Sequence, residues 1–341
     1  MNDSSFTIRL LRWYAANRRE LPWRQTTDPY RIWISEVILQ QTRVAQGYDY
    51  YRRFVSRFPN VEALARASED DVLAQWQGLG YYSRARNLHC AARQIVEMGR
   101  FPSTYDEIRT LRGVGDYTAA AIASLAFGLP YAVVDGNVYR VLARHFGIDS
   151  PIDTAGGKKL FAALAQEMLD VHRPAEYNQA IMDFGALQCV PQSPACLTCV
   201  LSDTCQARAD GLVGQLPRRT HVTRVRERFL TYIYTRCGGH ILLERRPAGD
   251  IWQGLYQVPM RETTQPMPAA DVRRWAGDGR LTLLRQGFVH QLTHQRLHAD
   301  LYLLDAPQRP AWPGVWVPET DRADYAVPRL IEELFALVGE P

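Results

Sequence analysis

Four cysteines lie close together near the middle of the chain, and they constrain its fold more than any other feature. The four residues are Cys189, Cys196, Cys199 and Cys205. Their spacing is C-x6-C-x2-C-x5-C, and Pro191 and Pro194 stiffen the loop between the first two. Thiols clustered this tightly can converge on a single soft metal centre, which then holds the surrounding chain together.

Three kinds of site are compatible with this cysteine run. Disulfide bonds are disfavoured, because no export signal is visible at the start of the chain and we expect the protein to stay in the reducing cytoplasm. A structural zinc site fits the ligand type, but such sites usually combine two short C-x2-4-C pairs, and only Cys196 and Cys199 have that form. The spacing therefore favours an iron–sulfur cluster and leaves zinc open.

Length and composition are those of an ordinary soluble protein with two domains. The chain has 341 residues, of which 46% are hydrophobic and 22% are charged, which is enough for two separate cores. No apolar stretch approaches the length of a membrane span, so we expect no membrane contact. The net charge of +4 is compatible with a polyanionic partner, although an excess of this size is common by chance.

The pattern of apolar and polar residues changes after about residue 210. Before that point apolar residues recur every three to four positions between short Gly or Pro breaks, which predicts a compact helical bundle. The predicted helical stretches include 34–42, 62–77, 84–98, 117–127, 136–146 and 158–169. An arginine-rich connector at 211–228 precedes an α+β domain at 229–341. There we expect strands at 229–236, 240–245 and 297–305 and helices at 269–276 and 329–338.

A glycine turn at 113–115 opens into an alanine-rich segment. Two glycines allow the backbone to approach a ligand, and the start of the next helix presents free N–H groups, which suits a phosphate. The alternative is a plain packing joint between two helices, which the G-x-G pattern alone favours. The turn is too short for a dinucleotide-binding fingerprint, and no G-K-[ST] follows it.

Two carboxylates and a tyrosine pair stand out by their surroundings. Asp135 precedes a predicted helix, where an acidic residue most often serves only as a cap. Glu36 lies in an otherwise apolar helix and faces either solvent or a pocket. Tyr81 and Tyr82 follow a glycine turn and precede two arginines, a combination that suits a nucleic-acid surface. Each of these signals is weak when taken alone.

Taken together, these segments resemble the helix-hairpin-helix DNA glycosylases of the endonuclease III superfamily, and within it the MutY-type adenine DNA glycosylases. The resembling stretches of the first domain are LPWR (21–24), DPYRIWISEVILQQTRV (28–44), GLGYYSRARNLH (78–89), LRGVGDYTAAAI (111–122), VVDGNVYRVLAR (133–144), NQAIMDFGALQC (178–189) and the cysteine run. The second domain resembles the Nudix-like domain of this family through WQGLYQVP (252–259) and HQLTHQRLH (290–298). The resemblance covers nearly the whole chain.

The resemblance implies a multi-domain fold and one cofactor. It predicts an all-α helix-hairpin-helix glycosylase domain at 1–210, with a six-helix barrel part at about 22–132 and a cluster part formed by 1–21 and 133–210. An α+β Nudix-like domain would follow at 229–341. The four cysteines would hold one structural [4Fe–4S] cluster.

The resemblance also implies a division of labour among the catalytic residues. Glu36 would protonate the departing adenine and then assist water, because a carboxyl in an apolar pocket has a raised pKa. Asp135 would remain ionised and stabilise the oxocarbenium ion that develops at the sugar. Asn137 would orient Asp135, and Tyr117 would lie beside the reaction.

Further residues would bind the DNA once the adenine has left the base stack. Gln41 and Tyr81 match the residues that fill the gap in the stack. The expected adenine and substrate contacts are Trp23, Arg24, Thr42 and Gln179. The hairpin residues Gly113, Val114 and Gly115 would bind a phosphate.

The scarcity of lysine predicts the type of reaction. Bifunctional relatives use a lysine on the hairpin helix to form a Schiff base and cut the strand. Here that position is Tyr117, and the only lysines of the chain are Lys158 and Lys159. Arginine remains protonated and cannot replace a nucleophilic amine. We therefore expect a monofunctional glycosylase.

The second domain is expected to bind rather than to hydrolyse, because it lacks the acidic box with which Nudix enzymes hold a catalytic metal. Thr293 and His294, after Leu292, match the family element that reads the damaged guanine. The expected partner is duplex DNA that contains adenine mispaired with 8-oxoguanine or guanine, bound by a monomer.

Other classes of protein remain alternatives at this point. One is a bifunctional pyrimidine glycosylase and lyase, which the missing lysine and the extra domain disfavour. Another is a non-catalytic DNA-binding iron–sulfur protein, which would not need both Glu36 and Asp135 in these contexts. A third is a nucleotide pyrophosphatase, which the missing acidic box disfavours.

Overall fold

The computed structural model describes residues 4–220 and 225–339. The first three residues, part of the predicted connector and the last two residues lie outside it. The chain forms two compact units, one of residues 1–65 with 90–221 and one of residues 66–89 with 222–341. The change between residues 221 and 222 falls inside the predicted connector. We did not predict that residues 66–89 belong to the second unit, because the sequence before and after this segment belongs to the first unit.

The part of the chain before the sheet is helical, as predicted. The helices are α1 (Ser4–Asn17), α2 (Pro29–Leu39), α3 (Val44–Arg57), α4 (Val61–Arg66), α5 (Glu69–Trp76), α6 (Ser83–Glu97), α7 (Tyr105–Arg109), α8 (Asp116–Phe127), α9 (Gly136–Phe146), α10 (Ala155–Met168), α11 (Pro174–Leu187) and α12 (Gln206–Ala209). Short 3-10 turns lie at Pro22–Arg24 and Cys196–Thr198.

Capping residues explain where several helices begin and end. The side chain of Asp28 accepts the N–H of Tyr30, and Pro29 occupies the first turn of α2, so this helix begins five residues before the predicted stretch at 34–42. It ends at Leu39 rather than at residue 42. The predicted stretch at 62–77 is two helices, because Ser68 accepts the N–H of Asp71 and caps a new helix.

One buried cluster holds α1, α8, α9, α10 and α11 together in the first unit. It includes Phe6 and Leu10 of α1, Val138 of α9, Phe161 of α10 and Phe184 of α11, all of which are at most 2% exposed. Three cysteines of the run pack against the same cluster as partly buried residues. Burial of this apolar area stabilises the arrangement of α8, α9 and α11, which carry much of the site described below.

The second unit contains a mixed sheet. Its strands are β1 (Arg226–Cys237), β2 (His240–Arg245), β3 (Tyr256–Gln257), β4 (Met260–Thr263), β5 (Arg280–Gln291), β6 (Gln295–Asp305) and β7 (Val315–Pro318). The main order is β3-β2-β1-β6-β5, with β4 paired to β1 and β7 paired to β2. Strands β1 and β6 run parallel, whereas the other pairs are antiparallel.

Helices cover both faces of this sheet. Side chains alternate along β1, so that Tyr232 and Tyr234 belong to one buried cluster and Ile233 belongs to the other. The first cluster packs against α14 (Arg329–Val338), and the second packs against α13 (Ala269–Ala276). Both helices lie where the sequence predicted them. A two-residue turn joins β1 to β2 at Gly238 and Gly239, whose φ angles are 56° and 71°.

The boundary of the second domain needs a correction. Strand β1 begins at Arg226, within the predicted connector 211–228, and Arg228 is a buried residue of this strand. The polar character of the segment is misleading, because the guanidinium of Arg228 is neutralised inside the fold by neighbouring carboxylates.

None of the helices in the described ranges is long and apolar enough to cross a membrane.

Candidate functional site

A cavity of about 630 Å³ in the first unit brings together most of the predicted site residues. Their positions come from the 3-10 turn at Pro22–Arg24, from α2 and the loop after it, and from α8, α9 and α11. The predicted residues that line it are Trp23, Arg24, Glu36, Gln41, Thr42, Tyr117, Asp135, Asn137 and Gln179. Residues far apart in sequence therefore share one concave site.

Glu36 is a buried carboxyl group in this cavity. It lies in α2 between apolar residues and is 8% exposed. Burial, helped by the nearby Asp135, raises the pKa of Glu36 to about 7, although a hydrogen bond from Tyr117 and the charge of Arg24 oppose this shift. A carboxyl with this pKa is available as a proton donor near neutral pH.

Tyr117 links α8 to this carboxyl. Its hydroxyl donates a hydrogen bond to Oε2 of Glu36 at 2.9 Å and lies 3.4 Å from the sulfur of Met182. Burial and the two neighbouring carboxylates raise the pKa of Tyr117 well above its usual value. The hydroxyl therefore keeps its proton and acts as a fixed donor.

Asp135 caps α9 and faces the same cavity. One of its carboxylate oxygens accepts the backbone N–H groups of Asn137 and Val138 at 2.9 and 2.8 Å. The other accepts the side-chain amide of Asn137 at 2.8 Å. Burial raises the pKa of Asp135 above its usual value, and these hydrogen bonds oppose that shift only in part. Asp135 therefore caps α9 and lines the cavity at the same time. The hydrogen bonds of the cap hold its carboxylate at the N-terminus of the helix.

Arg140 connects Asn137 to the cysteine run. Its Nη2 atom donates to Oδ1 of Asn137 at 2.8 Å and to the carbonyl oxygen of Gly185 at 2.6 Å. Its Nε atom donates to the carbonyl oxygen of Cys189 at 2.7 Å. We did not predict a role for Arg140 from the sequence, although a basic residue one turn after Asn137 could have indicated it.

The sequence also did not indicate Asp183 and Arg19. Asp183 of α11 has a fully buried side chain, and its carboxylate accepts two hydrogen bonds from Arg24 at 2.6 and 2.9 Å. Arg19 donates to the same carboxylate through Nε at 2.9 Å. These arginines hold the pKa of Asp183 below its usual value, although burial opposes them. Asp183 therefore fixes the direction of Arg24 at the cavity wall.

Other predicted contact residues are held by their neighbours. The amide oxygen of Gln179 accepts the hydroxyl of Tyr14 at 2.7 Å, and Trp23 packs edge-on against Tyr51 with ring centroids 5.1 Å apart. Gln41 is exposed and has a φ of 57°, a left-handed conformation that is uncommon outside glycine. Thr42 donates to the carbonyl oxygen of Gln40 at 3.3 Å. Gln41 thus has the exposure and strained backbone that are frequent at functional positions.

The glycine turn precedes α8 as predicted. Gly113 has a φ of 78°, which favours glycine, whereas Gly115 is extended and precedes the first helical residue. A Cβ atom added to Gly115 would meet no atom within 4 Å. Val114 is buried and anchors the turn. The exposed glycine backbone at a helix N-terminus leaves room for a phosphate.

The four predicted cysteine ligands line one cavity together with Arg144. Within the described residues no cysteine forms a disulfide. Burial raises the pKa of Cys199 to about 11, and the negative charges of the other three thiols add to this effect. Arg144 holds the loop, since it donates to the carbonyl oxygens of Val190 and Pro191 at 2.8 and 2.9 Å.

The four cysteines of this cavity are suitable ligands for a soft metal centre. Among the described residues no three His, Cys, Asp or Glu side chains are close enough around one point to hold one metal ion. In a tetrahedral zinc site all four sulfurs lie about 2.3 Å from the same ion. The four thiols that line this cavity nevertheless form a donor set that fits a soft metal centre, either a zinc ion or an iron–sulfur cluster.

The remaining predicted residues, Tyr81, Thr293 and His294, lie in the second unit. They line a cavity of about 550 Å³ there. The hydroxyls of Tyr81 and Thr293 are hydrogen-bonded at 2.6 Å. Tyr81 is 49% exposed and has a φ of 47°. It therefore shares with Gln41 both exposure and a left-handed backbone.

Comparison with known families agrees with this arrangement. A model described as HhH-GPD superfamily base excision DNA repair protein matches residues 34–167, and a NUDIX domain model matches residues 231–337. An adenine DNA glycosylase of Buchnera aphidicola subsp. Baizongia pistaciae is 33% identical over 89% of this chain and 86% of its own length. The human adenine DNA glycosylase is 33% identical over 97% of this chain and 73% of its own length.

Solved structures are similar over the helical part. A thermostable thymine-DNA glycosylase has a TM-score of 0.57 and 31% identity, and the match covers 61% of this chain and 97% of that one. A non-covalent endonuclease III–DNA complex has a TM-score of 0.53 and 22% identity, covering 61% of this chain and 95% of that one. The second likeness shows the fold alone.

Proposed function

Since the chain belongs to the adenine DNA glycosylase family, we propose that the cavity around Glu36 removes adenine from mispairs in duplex DNA. The protein is a base-excision repair enzyme that acts on N-glycosyl bonds. The observation that carries the proposal is the buried Glu36, with a pKa of about 7, in one cavity with Tyr117 and Asp135. These are the groups that acid-assisted departure of a base requires.

In the proposed reaction Glu36 supplies the proton. Adenine is a poor leaving group unless one of its ring nitrogens is protonated, and burial keeps Glu36 largely protonated below about pH 7. The hydrogen bond from Tyr117 holds the carboxyl in one orientation. After departure of the base the resulting carboxylate assists the attacking water.

Asp135 stabilises the positive charge that develops at the sugar. Its hydrogen bonds from the start of α9 and from Asn137 are all made to the ionised form. The carboxylate therefore keeps its position while the glycosidic bond breaks, and no reorganisation is needed at that moment.

The extruded adenine is proposed to lie between Trp23, Arg24 and Gln179. The ring of Trp23 offers an apolar surface, while the other two side chains offer polar atoms at the cavity wall. The pairing of Arg24 with Asp183 keeps the guanidinium in place and neutralises it next to the catalytic carboxyl. Gln41, Thr42 and the turn at 113–115 would hold the flanking strand.

The chain is proposed to be monofunctional. Tyr117 occupies the position at which bifunctional relatives have their Schiff-base lysine. Its hydroxyl donates a hydrogen bond to Glu36. Neither lysine of the chain, Lys158 or Lys159, lines this cavity. The abasic strand would therefore remain intact after the base has left.

The second unit is proposed to read the base opposite the adenine, with a preference for 8-oxoguanine. Thr293 presents a hydroxyl and His294 a ring at the cavity of the second unit. The hydrogen bond between Tyr81 and Thr293 supports a joint role, in which one residue fills the base stack and the other contacts the base. We propose that the protein acts as a monomer.

The cysteine run is proposed to hold one [4Fe–4S] cluster with a structural role. Cys189, Cys196, Cys199 and Cys205 would be its ligands. Such a cluster supplies four metal–thiolate bonds that connect the end of α11 to α12. Arg140 and Arg144 hold the first ligand and its loop through backbone carbonyls.

A single-turnover assay tests the function. Adenine release is measured with the full chain on duplexes that carry adenine opposite 8-oxoguanine, guanine or cytosine, and thymine release is measured on a G·T duplex. We expect adenine release, fastest opposite 8-oxoguanine, and its loss in Glu36→Gln. Release of thymine without adenine would overturn the substrate, while full activity of Glu36→Gln would overturn the assigned acid.

A further inference from the structure

A buried charge network lies beneath the turn of residues 292–294 in the second unit. The side chains of Arg228 and Arg246 are only 5% and 3% exposed. Asp250 accepts hydrogen bonds from both, at 2.8 and 2.7 Å from Arg228 and at 2.8 Å from Arg246. One carboxylate therefore joins two buried guanidinium groups.

A second carboxylate makes the network electrically neutral. Glu262 accepts two hydrogen bonds from Arg228, at 2.8 and 2.5 Å. Hydrogen bonds from Arg228 lower the pKa of both Asp250 and Glu262. Because an unpaired buried charge is costly, each arginine depends on these partners for its position.

The network also reaches the start of β6. Nη1 of Arg228 donates to the side-chain oxygen of Gln295 at 3.0 Å. The backbone of Gln295 accepts the N–H of Leu292 at 2.8 Å, and the N–H of Arg226 binds the carbonyl oxygen of His294 at 3.0 Å. One end of the turn that carries Thr293 is thus bonded directly to β1, and its other end is connected to β1 through Gln295.

On its other side, the network holds the opposite wall of the cavity. Asp250 accepts the N–H of Ile251 at 2.7 Å, and Arg246 donates to the carbonyl oxygen of Ile251 at 2.9 Å. The next residue, Trp252, has a φ of 62° and lies edge-on to His290, with ring centroids 5.8 Å apart. Asp250, Trp252 and Thr293 line the same cavity of about 550 Å³.

We propose that Asp250 is a positioning residue for recognition of the base opposite adenine, because it fixes the Thr293 turn relative to the Trp252 wall. The inference rests on the proposed reading of that base by the second unit. Thr293 and His294 are exposed, and Thr293 is hydrogen-bonded to Tyr81. Their placement therefore depends on the strand ends beneath them, which Asp250 connects to the loop of Trp252.

The test compares Asp250→Asn with the unaltered protein. Excision rates at saturating protein, and affinities for duplexes with a non-cleavable adenine analogue, are measured opposite 8-oxoguanine and opposite guanine. We expect the preference for 8-oxoguanine to fall roughly tenfold, mainly through affinity, which is the size expected for a lost charge-assisted hydrogen bond. Excision opposite guanine at saturating protein should fall less than excision opposite 8-oxoguanine.

Two further variants separate positioning from loss of stability. Asp305→Asn breaks the ion pair with Arg236 at the far end of the same β1·β6 pairing and should leave the preference unchanged. Gln295→Leu removes only the hydrogen bond between Arg228 and the side chain of Gln295, and it leaves both carboxylate partners of Arg228 in place. This variant should therefore fold and still lower the preference for 8-oxoguanine. Asp250→Asn and Thr293→Val should be non-additive when combined.

The inference is overturned if Asp250→Asn and Gln295→Leu keep the preference, if they slow excision equally opposite both bases, or if the combined effects are additive. Failure of the proposed function has a different signature. In that case the unaltered protein itself would show no preference for 8-oxoguanine.

Discussion

The guanidinium of Arg140 donates a hydrogen bond to the carbonyl oxygen of Cys189 at 2.7 Å. The same side chain binds Asn137, which in turn binds the carboxylate of Asp135. Two side chains, those of Arg140 and Asn137, therefore connect the first residue of the cysteine run to the proposed catalytic anion. The proposed cluster would thereby affect the position of the proposed catalytic group.

Replacement of Arg140 by lysine should impair catalysis more than DNA binding. Lysine cannot donate to Asn137, Gly185 and Cys189 at the same time, so Asp135 loses its fixed orientation. We expect the single-turnover rate of adenine release to fall by about 10- to 100-fold, the range for a buried charged hydrogen bond. Arg173→Lys, which alters an exposed ion pair with Asp170, is the matched control. Equal rates for both variants would contradict the linkage.

Adenine release should lose rate as the pH rises above about 7. The active form of Glu36 is protonated, and its pKa is about 7. Glu36→Gln keeps the size of the side chain but cannot donate this proton, so its rate of adenine release should be at least about 100-fold lower. The remaining rate should not fall as the pH rises above about 7. A pH–rate profile measured under single-turnover conditions checks both statements. A flat profile for the unaltered protein would contradict the assignment.

The raised pKa of Glu36 also makes the stability of the folded protein depend on pH. A carboxyl whose pKa is higher in the folded state than in the unfolded state binds more protons when folded, so folding loses stability as the pH rises from about 4.5 to 7. Glu36→Gln removes this cost. The free energy of unfolding of Glu36→Gln minus that of the unaltered protein should therefore increase by roughly 3 kcal/mol as the pH rises from about 4.5 to 7. Urea unfolding at pH 5 and pH 8 measures this difference. A difference that does not depend on pH would show that Glu36 is not buried as a titrating group.

Tyr117→Phe should move the pH profile in a predictable direction. The Tyr117 hydroxyl stabilises the ionised form of Glu36 and lowers its pKa. Its removal should raise that pKa, so the loss of rate with rising pH should begin at higher pH. Tyr139→Phe alters a tyrosine that packs against Phe161 and serves as the control. A shift toward lower pH would contradict the role of the hydroxyl as a donor to Glu36.

The product strand should remain uncut. Without a lysine at the position of Tyr117, no Schiff base can form there. We expect strand cleavage only after alkali or heat, and no covalent protein–DNA adduct when borohydride is present during the reaction. Capture of such an adduct would contradict the monofunctional reaction.

The purified protein should contain iron and acid-labile sulfide, with about four of each per chain. Cys196→Ser should lower this content and the unfolding temperature together, because the cavity loses one of its four thiols. Cys90→Ser, which alters an exposed cysteine outside the run, should change neither. A colourless protein with one equivalent of zinc would contradict the cluster.

Local features were predictable from the sequence where short-range physics decides them. The helix Ala269–Ala276 and the turn at Gly238 and Gly239 lie where the sequence predicted them, because periodicity and glycine conformation act over a few residues. Glu36 was recognisable as an unusual carboxyl in an apolar helix. The choice between solvent and pocket could not be made, because it depends on which helices cover α2.

Long-range pairing decided the rest. Arg228 lies in a polar, arginine-rich segment and was predicted as part of a connector, yet it is buried, because Asp250 from a loop and Glu262 from β4 neutralise it. Asp183 carried no signal in the sequence and became visible only through its pairing with Arg24. The grouping of Tyr81 with the second unit has the same origin, since its segment makes its contacts with residues more than 150 positions away.

The sequence by itself therefore predicted the proposed reactive groups: the four cysteines, the carboxyls of Glu36 and Asp135, and the absence of lysine at the position of Tyr117. Side-chain chemistry and spacing along the chain are sufficient for that. Only the tertiary structure decided how these groups behave. The raised pKa of Glu36, the attachment of Asp135 to the cysteine run through Arg140, and the support of Thr293 by Asp250 all depend on burial and on hydrogen bonds between distant segments.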